Sequence, residues 1–440
     1  MIGVIGGGIA GMVAAYRLNQ MGIPTTLLEA APRLGGMIQT VRSEGFIVEA
    51  GPDAPVTYRP GAKELMAELG LETTGTNPHN PAAGIISRGK LHPIPPGLLV
   101  VVPSDLEAVA ATGLLSPQGL ARLAHEPEIP VGQQEDESFA QFVTRRLGPE
   151  YWERLAAPLT GGIYGGDPGL LSTEAGFPAL KNLEKEFGSL ILGAQRTLAQ
   201  RPAAREGGQL FITPRLGLQN LVEVLAAKLT GVTVQLDAPA LSISRSPSGY
   251  RVKTAREELP VKAVIVATPA HQAAQLLTPL APQTEVLAEI PFGDVHTVSL
   301  AYREELALPT GHGVLYAADE PSPVSGFTWS SQKWPGRAPA GFTLIRAFLR
   351  PGGSAAAAQL ELEKLLATPL PRPVQVWDFP LVRAMPHYTV GHGARVEQAW
   401  EALPPGIFLA GNSYRGVGLP ETITSGEAAA QAASQYWKAN

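Results

Sequence analysis

Six residues near the start of the chain, Gly6-Gly7-Gly8-Ile9-Ala10-Gly11, are followed some twenty residues on by Glu29. This spacing suits a bound dinucleotide. Gly6 permits a tight turn, Gly8 lets a pyrophosphate approach the backbone, and Gly11 lets a helix pack closely on a strand. The N-terminus of that helix would then face the phosphates. A carboxylate at Glu29 can accept hydrogen bonds from a ribose 2′-OH and would repel a 2′-phosphate, which disfavours NADP. These residues alone leave NAD and FAD open.

Such chemistry needs a strand, a turn, a helix and a second strand in order. Residues 2–5 read as a buried strand, Ala14, Ala15, Leu18 and Met21 as a helical face, and residues 25–28 as the next strand. Later pieces continue the pattern. Leu218, Leu221, Val222, Leu225 and Leu229 mark a helix, residues 232–236, 261–267 and 407–410 mark strands, and residues 426–436 an alanine-rich final helix. Alternating strands and helices predict a parallel, doubly wound sheet. Residues 96–164 read as helical and loop-rich, with a solvated acidic turn at 133–137. Residues 295–300 and 342–348 alternate like strands of a half-buried antiparallel sheet. The expected fold is therefore α/β: a discontinuous dinucleotide-binding domain (1–58, 192–275 and 393–440), an α+β substrate domain (80–95, 165–191 and 276–392) and a helical subdomain (96–164).

Composition narrows the chemistry. The chain has 440 residues, of which 45% are hydrophobic and 17% charged, so it can fill a large core. A net charge of −5 without a basic block gives no footprint for nucleic acid. Without cysteine there are no disulfides, thiol nucleophiles or cysteine-ligated metals, so redox chemistry requires a bound cofactor. No metal site is expected, because His92 and His387 lack partner spacing. The longest apolar run, near residues 97–102, falls far short of the roughly 20 residues of a membrane helix. The chain opens on a strand rather than a signal-like segment, and the expectation is a cytoplasmic protein with at most peripheral membrane contact.

Beyond the acid, Arg33-Leu34-Gly35-Gly36 and Glu49-Ala50-Gly51-Pro52-Asp53 resemble the FAD-binding half of the flavin amine oxidase superfamily. Other stretches resemble the porphyrinogen oxidases within it: residues 157–168 with Leu171-Ser172, then Phe177-Pro178, residues 187–191 and 328–335, Met385-Pro386-His387-Tyr388, and residues 411–420. The matches run from the first strand to the last helix. The resemblance implies FAD, held by Gly6, Gly8, Ile9, Ala10, Gly11, Glu29, Ala30, Arg33, Gly35, Gly36, Gly51, Pro52, Asp53, Val234, Ala267, Thr268, Gly411, Asn412, Gly416, Val417 and Gly418. Val234 is the implied backbone contact to adenine. It also implies that a porphyrinogen, coproporphyrinogen III or protoporphyrinogen IX, is oxidised in three two-electron steps of haem synthesis, with O2 as reoxidant and H2O2 as product.

Under that resemblance Leu315 and Phe348 clamp the macrocycle, and Thr160, Gly161 and Gly162 form a loop beside the flavin. Arg59 matches a cationic position of the soluble branch and is the preferred carboxylate partner; Arg346, alternating with apolar neighbours, is a second candidate. Membrane-attached relatives carry an arginine where this chain has Ala83, which tilts the expectation toward coproporphyrinogen. Transient contact with neighbouring haem-pathway enzymes is the only macromolecular partnership the resemblance leaves room for.

Overall fold

A computed structural model describes residues 1–77, 83–164, 167–200 and 209–440. Gly165 and Gly166 of the signature stretch, and residues 80–82 at the start of the expected substrate domain, lie outside the described residues.

The short apolar strands assemble into a five-stranded parallel sheet in the order Val232–Gln235, Thr25–Leu28, Ile2–Ile5, Ala263–Val266, Ile407–Leu409. Ile2–Ile5 sits centrally, in register with Thr25–Leu28 on one side and Ala263–Val266 on the other. Three of these strands are buried throughout, as parallel strands covered on both faces must be. Against one face pack the helices Ile9–Gln20, Gln219–Ala227 and Leu419–Ala439. The last helix is longer than its alanine run predicts. Its small residues let it approach the first helix so closely that a Cβ on Gly426 would overlap the Ala10 carbonyl. A three-stranded antiparallel meander, Ser242–Ser246, Gly249–Lys253 and Glu258–Val261, covers the other face.

The alternating segments form a seven-stranded mixed sheet: Gln375–Pro386, Phe292–Tyr302, Thr343–Leu349, Val324–Thr328, Gly313–Tyr316, Gly84–Ser87, Lys90–Pro93. Ile345, Ala347 and Leu349 bury one face with Val298, Leu300 and the helix Ala355–Leu366; the opposite face carries Arg346 and Phe348.

The helical part has its own core, built on Phe139, Phe142, Leu147, Tyr151 and Leu155. That core also takes in Phe177, Leu180, Leu183, Leu190, Ile191 and Ala194, so residues 177–200 pack with the helices rather than with either neighbouring domain as the sequence suggested. Two further boundaries move. Ala62, Leu65 and Met66 join the core of the parallel sheet, beyond residue 58, and Leu287 and Ile290 also pack beside that sheet, beyond 275. Conversely Phe46 and Val48, inside 1–58, pack on the mixed sheet with Leu344 and Trp377. The acidic turn is only partly solvated. Glu137 is buried and accepts from Arg145 (2.6 Å) and Lys181 (3.0 Å), while Asp136 accepts from the Ser172 hydroxyl (2.8 Å). Deeper still, Arg146 and Glu126 form a fully buried pair; removing one partner of such a pair costs about 3–5 kcal/mol.

Candidate functional site

A single cavity of about 2870 Å³ runs from the amino-terminal glycine turn to the open face of the mixed sheet and the helical layer. At its dinucleotide end the backbone is arranged for an anion. Gly6 has φ +106°, and a Cβ there would sit 2.6 Å from the Ala267 carbonyl, so only glycine makes this turn. The helix that follows has Gly8 at its N-cap, no capping side chain and no acid in its first turn. The Met12 N–H is the first to bond back, to Gly8, which leaves the Ile9, Ala10 and Gly11 N–H groups at the positive end of the helix. A Cβ on Gly8 would meet nothing within 4 Å, so the approach to these donors is open. The C-terminal helix also begins uncapped, after Gly418, and the cavity wall there includes Gly411, Asn412, Gly416 and Val417.

Glu29 ends its strand on the cavity wall, with its carboxylate accepting from the Gly7 N–H (2.5 Å) and the Ala31 N–H (2.7 Å). Ala30, Gly35 and Gly36 line the same wall, and the Gly35 N–H bonds to the Gly7 carbonyl (2.8 Å). Ala267 and Thr268 close the opposite side. The Thr268 hydroxyl is buried there without a hydrogen-bond partner among the described residues. Two uncapped helix starts, an open glycine, an anchored carboxylate and an orphaned hydroxyl on one cavity fit a flavin dinucleotide.

Gly51 and Pro52 form the next section of wall. A Cβ on Gly51 would overlap the Met37 carbonyl. Arg346 fixes this segment from the mixed sheet, donating to the carbonyls of Ala50 (3.2 Å) and Gly51 (2.7 Å), and is itself buried. Through Nη2 its guanidinium supports the cofactor wall, while its Nε is buried without a hydrogen-bond partner among the described residues. Asp53 likewise turns its carboxylate onto Lys333 (2.9 Å) and the Trp334 indole N–H (3.2 Å). Burial alone would raise the Asp53 carboxyl. The charges of Lys333 and Arg346 outweigh it, with help from the two hydrogen bonds, and bring it down to about 2.

Further along, three adjacent strands build a slot. Leu315 is directly opposite Gly326, and Gly326 directly opposite Phe348. No side chain stands between the two apolar flanks, and Leu315 leans over the glycine: a Cβ on Gly326 would be 3.2 Å from its Cδ2. The Arg346 guanidinium lies 5.0 Å from the Phe348 ring centre.

Other expected residues are placed differently. Thr160, Gly161 and Gly162 lie in the helix Ala157–Tyr164, not in a loop. That helix continues from a π-helical turn, Trp152–Ala156, and the Thr160 hydroxyl bonds back to the Ala156 carbonyl (2.7 Å). Thr160 and Gly161 still line the cavity, beside Trp152. Arg33 folds onto its own turn, donating to the carbonyls of Leu34, Gly36 and Ile38, and does not reach the cavity wall. Val234 sits on the edge strand away from the cavity; Ala238, Pro239 and Ala240, just past that strand, line it instead. Arg59 is at the cavity, half-exposed and ion-paired with Glu421 (2.7 Å). Sequence reasoning missed Lys333, although it lies in a quoted match, and the 238–240 wall, whose signal was Pro239 in the turn that follows the strand Val232–Gln235. No group of three His, Asp or Glu able to hold a metal occurs among the described residues. No described helix is long and apolar enough to cross a membrane.

Comparison with known proteins settles the family. Residues 9–434 match the flavin containing amine oxidoreductases. The chain belongs to that family. It is an FAD-dependent oxidoreductase, in keeping with the cradle described above. It is 33% identical to the coproporphyrinogen III oxidase of Bacillus subtilis (strain 168), over 98% of this chain and 97% of that one. It is 30% identical to protoporphyrinogen oxidase 1, chloroplastic, of Spinacia oleracea, over 96% of this chain and 81% of the relative. The crystal structure of a protein from Exiguobacterium sp. 255-15 superposes with a TM-score of 0.86 at 32% identity, covering 99% of this chain and 98% of its own.

Proposed function

We propose that the protein oxidises a porphyrinogen, with coproporphyrinogen III the preferred substrate, to the corresponding porphyrin. The observation that carries the reading is the Leu315–Gly326–Phe348 slot, an apolar stretch of wall on the same cavity as the flavin cradle. The relatives named above act on porphyrinogens by name, and the matches span nearly the whole chain. Bound FAD supplies the two-electron acceptor.

The side chains then have modest tasks. Leu315 and Phe348 hold the macrocycle by its faces and exclude water. Gly8 leaves the backbone open to the cofactor, while Gly51 lets the wall pack against the Met37 carbonyl. Arg346, Lys333 and Asp53 keep the 50–53 wall rigid, so the reacting rings meet at fixed separation. Conversion of porphyrinogen to porphyrin removes six electrons and six protons. Three O2 accept them as three H2O2, with FAD reoxidised at each turn. A transient partner among haem-pathway enzymes belongs to this reading as well.

The test is aerobic incubation of flavin-loaded protein with coproporphyrinogen III and, separately, with protoporphyrinogen IX. Porphyrin fluorescence should rise faster with the former and consume three O2 per porphyrin. Oxygen uptake with simple amines and none with either porphyrinogen would overturn the reading.

A further inference from the structure

Among the described residues, five lysines and arginines line the cavity, and four of them are engaged on other tasks. Arg59 is paired with Glu421, Lys333 with Asp53 and Arg415 with Glu397, while Arg346, itself without an ion pair among the described residues, is buried near the charges of Asp53 and Glu49 and holds the 50–51 carbonyls through Nη2. The fifth is Arg350, one residue beyond the strand Thr343–Leu349 that carries Phe348. It makes no ion pair with a described carboxylate. Glu320, whose carboxylate accepts from the Gly89 N–H (2.9 Å), acts on it only through space. Its contacts are two backbone carbonyls, Glu320 (2.9 Å, from Nη1) and Ala317 (3.1 Å, from Nη2).

We infer that Arg350 is the substrate-carboxylate anchor of the cavity and sets how well a porphyrinogen bearing several acidic arms is bound. Two carbonyls fix the plane of the guanidinium and use two of its five N–H groups. The remaining three include Nε–H, enough for a bidentate grip on a carboxylate. Its chain neighbours Phe348, Leu349 and Pro351 line the same cavity and are apolar. A lone charge pair there would be weakly screened. Position supports the role. Arg350 lies four residues past Arg346, roughly 13 Å further along the strand direction from the flavin wall. It can meet a peripheral arm while the ring sits against Phe348. Burial holds its basicity below the usual arginine value, and an incoming carboxylate would relieve that penalty.

The inference rests on the porphyrinogen reading, and the test separates the two. Arg350→Gln and Arg350→Lys would be compared with wild type on coproporphyrinogen III and on its tetramethyl ester, with flavin absorbance per protein recorded for each. The expected result is a KM for the tetra-acid raised about tenfold or more in Arg350→Gln, with kcat within about twofold. Arg350→Lys should recover part of the loss, the ester should show no difference, and flavin content should hold. An unchanged KM for the tetra-acid, or an equal rise for acid and ester, would overturn the anchor alone. Wild-type protein inert toward both substrates would sink the porphyrinogen reading and the anchor with it.

Discussion

Glu29 shows what a single side chain does in this cradle. Its two oxygens already accept main-chain N–H groups from Gly7 and Ala31, so the carboxylate is fixed before any ligand arrives. A ribose hydroxyl would meet an acceptor needing no further ordering. Glu29→Ala should therefore lower flavin retention by about tenfold in Kd, read by flavin fluorescence during dilution, while leaving the fold intact. Unchanged retention would refute the ribose role. At this scale the sequence was legible where geometry depends on residue type. Gly6, Gly8, Gly11 and Glu29 each stand where strand–turn–helix spacing puts them. It was not legible where the outcome depends on what arrives from elsewhere in the chain. Nothing local to Arg346 announces that the Ala50 and Gly51 carbonyls will lie against it, and nothing local to Arg33 says that its turn will close on its guanidinium.

Among the elements, the 50–53 segment depends most on long-range support, since it hangs between the parallel sheet and the mixed one. Asp53 ties it to Lys333 and Trp334. The carboxyl ordinarily titrates at 3.8 and is depressed to about 2 in the folded protein, so its contribution is present above about pH 4 and lost as pH falls through 4 toward 2. Glu49 behaves oppositely: burial raises its carboxyl, so its protonation favours the folded chain and offsets part of the acid loss. The Asp53→Asn variant isolates the Asp53 share. In urea titrations it should be about 2 kcal/mol less stable than wild type at pH 7, with the gap narrowing as pH approaches 2. A gap independent of pH would contradict the assignment. The sequence predicted the parallel sheet and two strands of the second, because alternation and buried runs are local signals. It expected that second sheet to be antiparallel, but Gly313–Tyr316 pairs parallel with Gly84–Ser87 and makes it mixed. It misplaced helix ownership for residues 177–200, because which core a helix joins depends on tertiary contacts that periodicity does not encode. The loop expected at 160–162 is a helix for a related reason: glycine pairs weaken a helix without forbidding one, and a helix already running from Trp152 carries through them.

For the whole molecule, two sheets and a helical layer meet around one cavity, and each of the three supplies part of its wall. The parallel sheet presents two uncapped helix starts, the mixed sheet presents the slot, and the helical layer adds Trp152, Thr160 and Phe177. Under the proposed function, cofactor and substrate share this cavity, and the substrate passes its electrons directly to the flavin. Flavin-loaded protein mixed with coproporphyrinogen III in the absence of O2 should lose its yellow flavin absorbance within a single turnover. Phe348→Ala should bleach more slowly at equal flavin content. Flavin that stays oxidised under these conditions, while porphyrin forms only by slow autoxidation once air is admitted, would contradict the account.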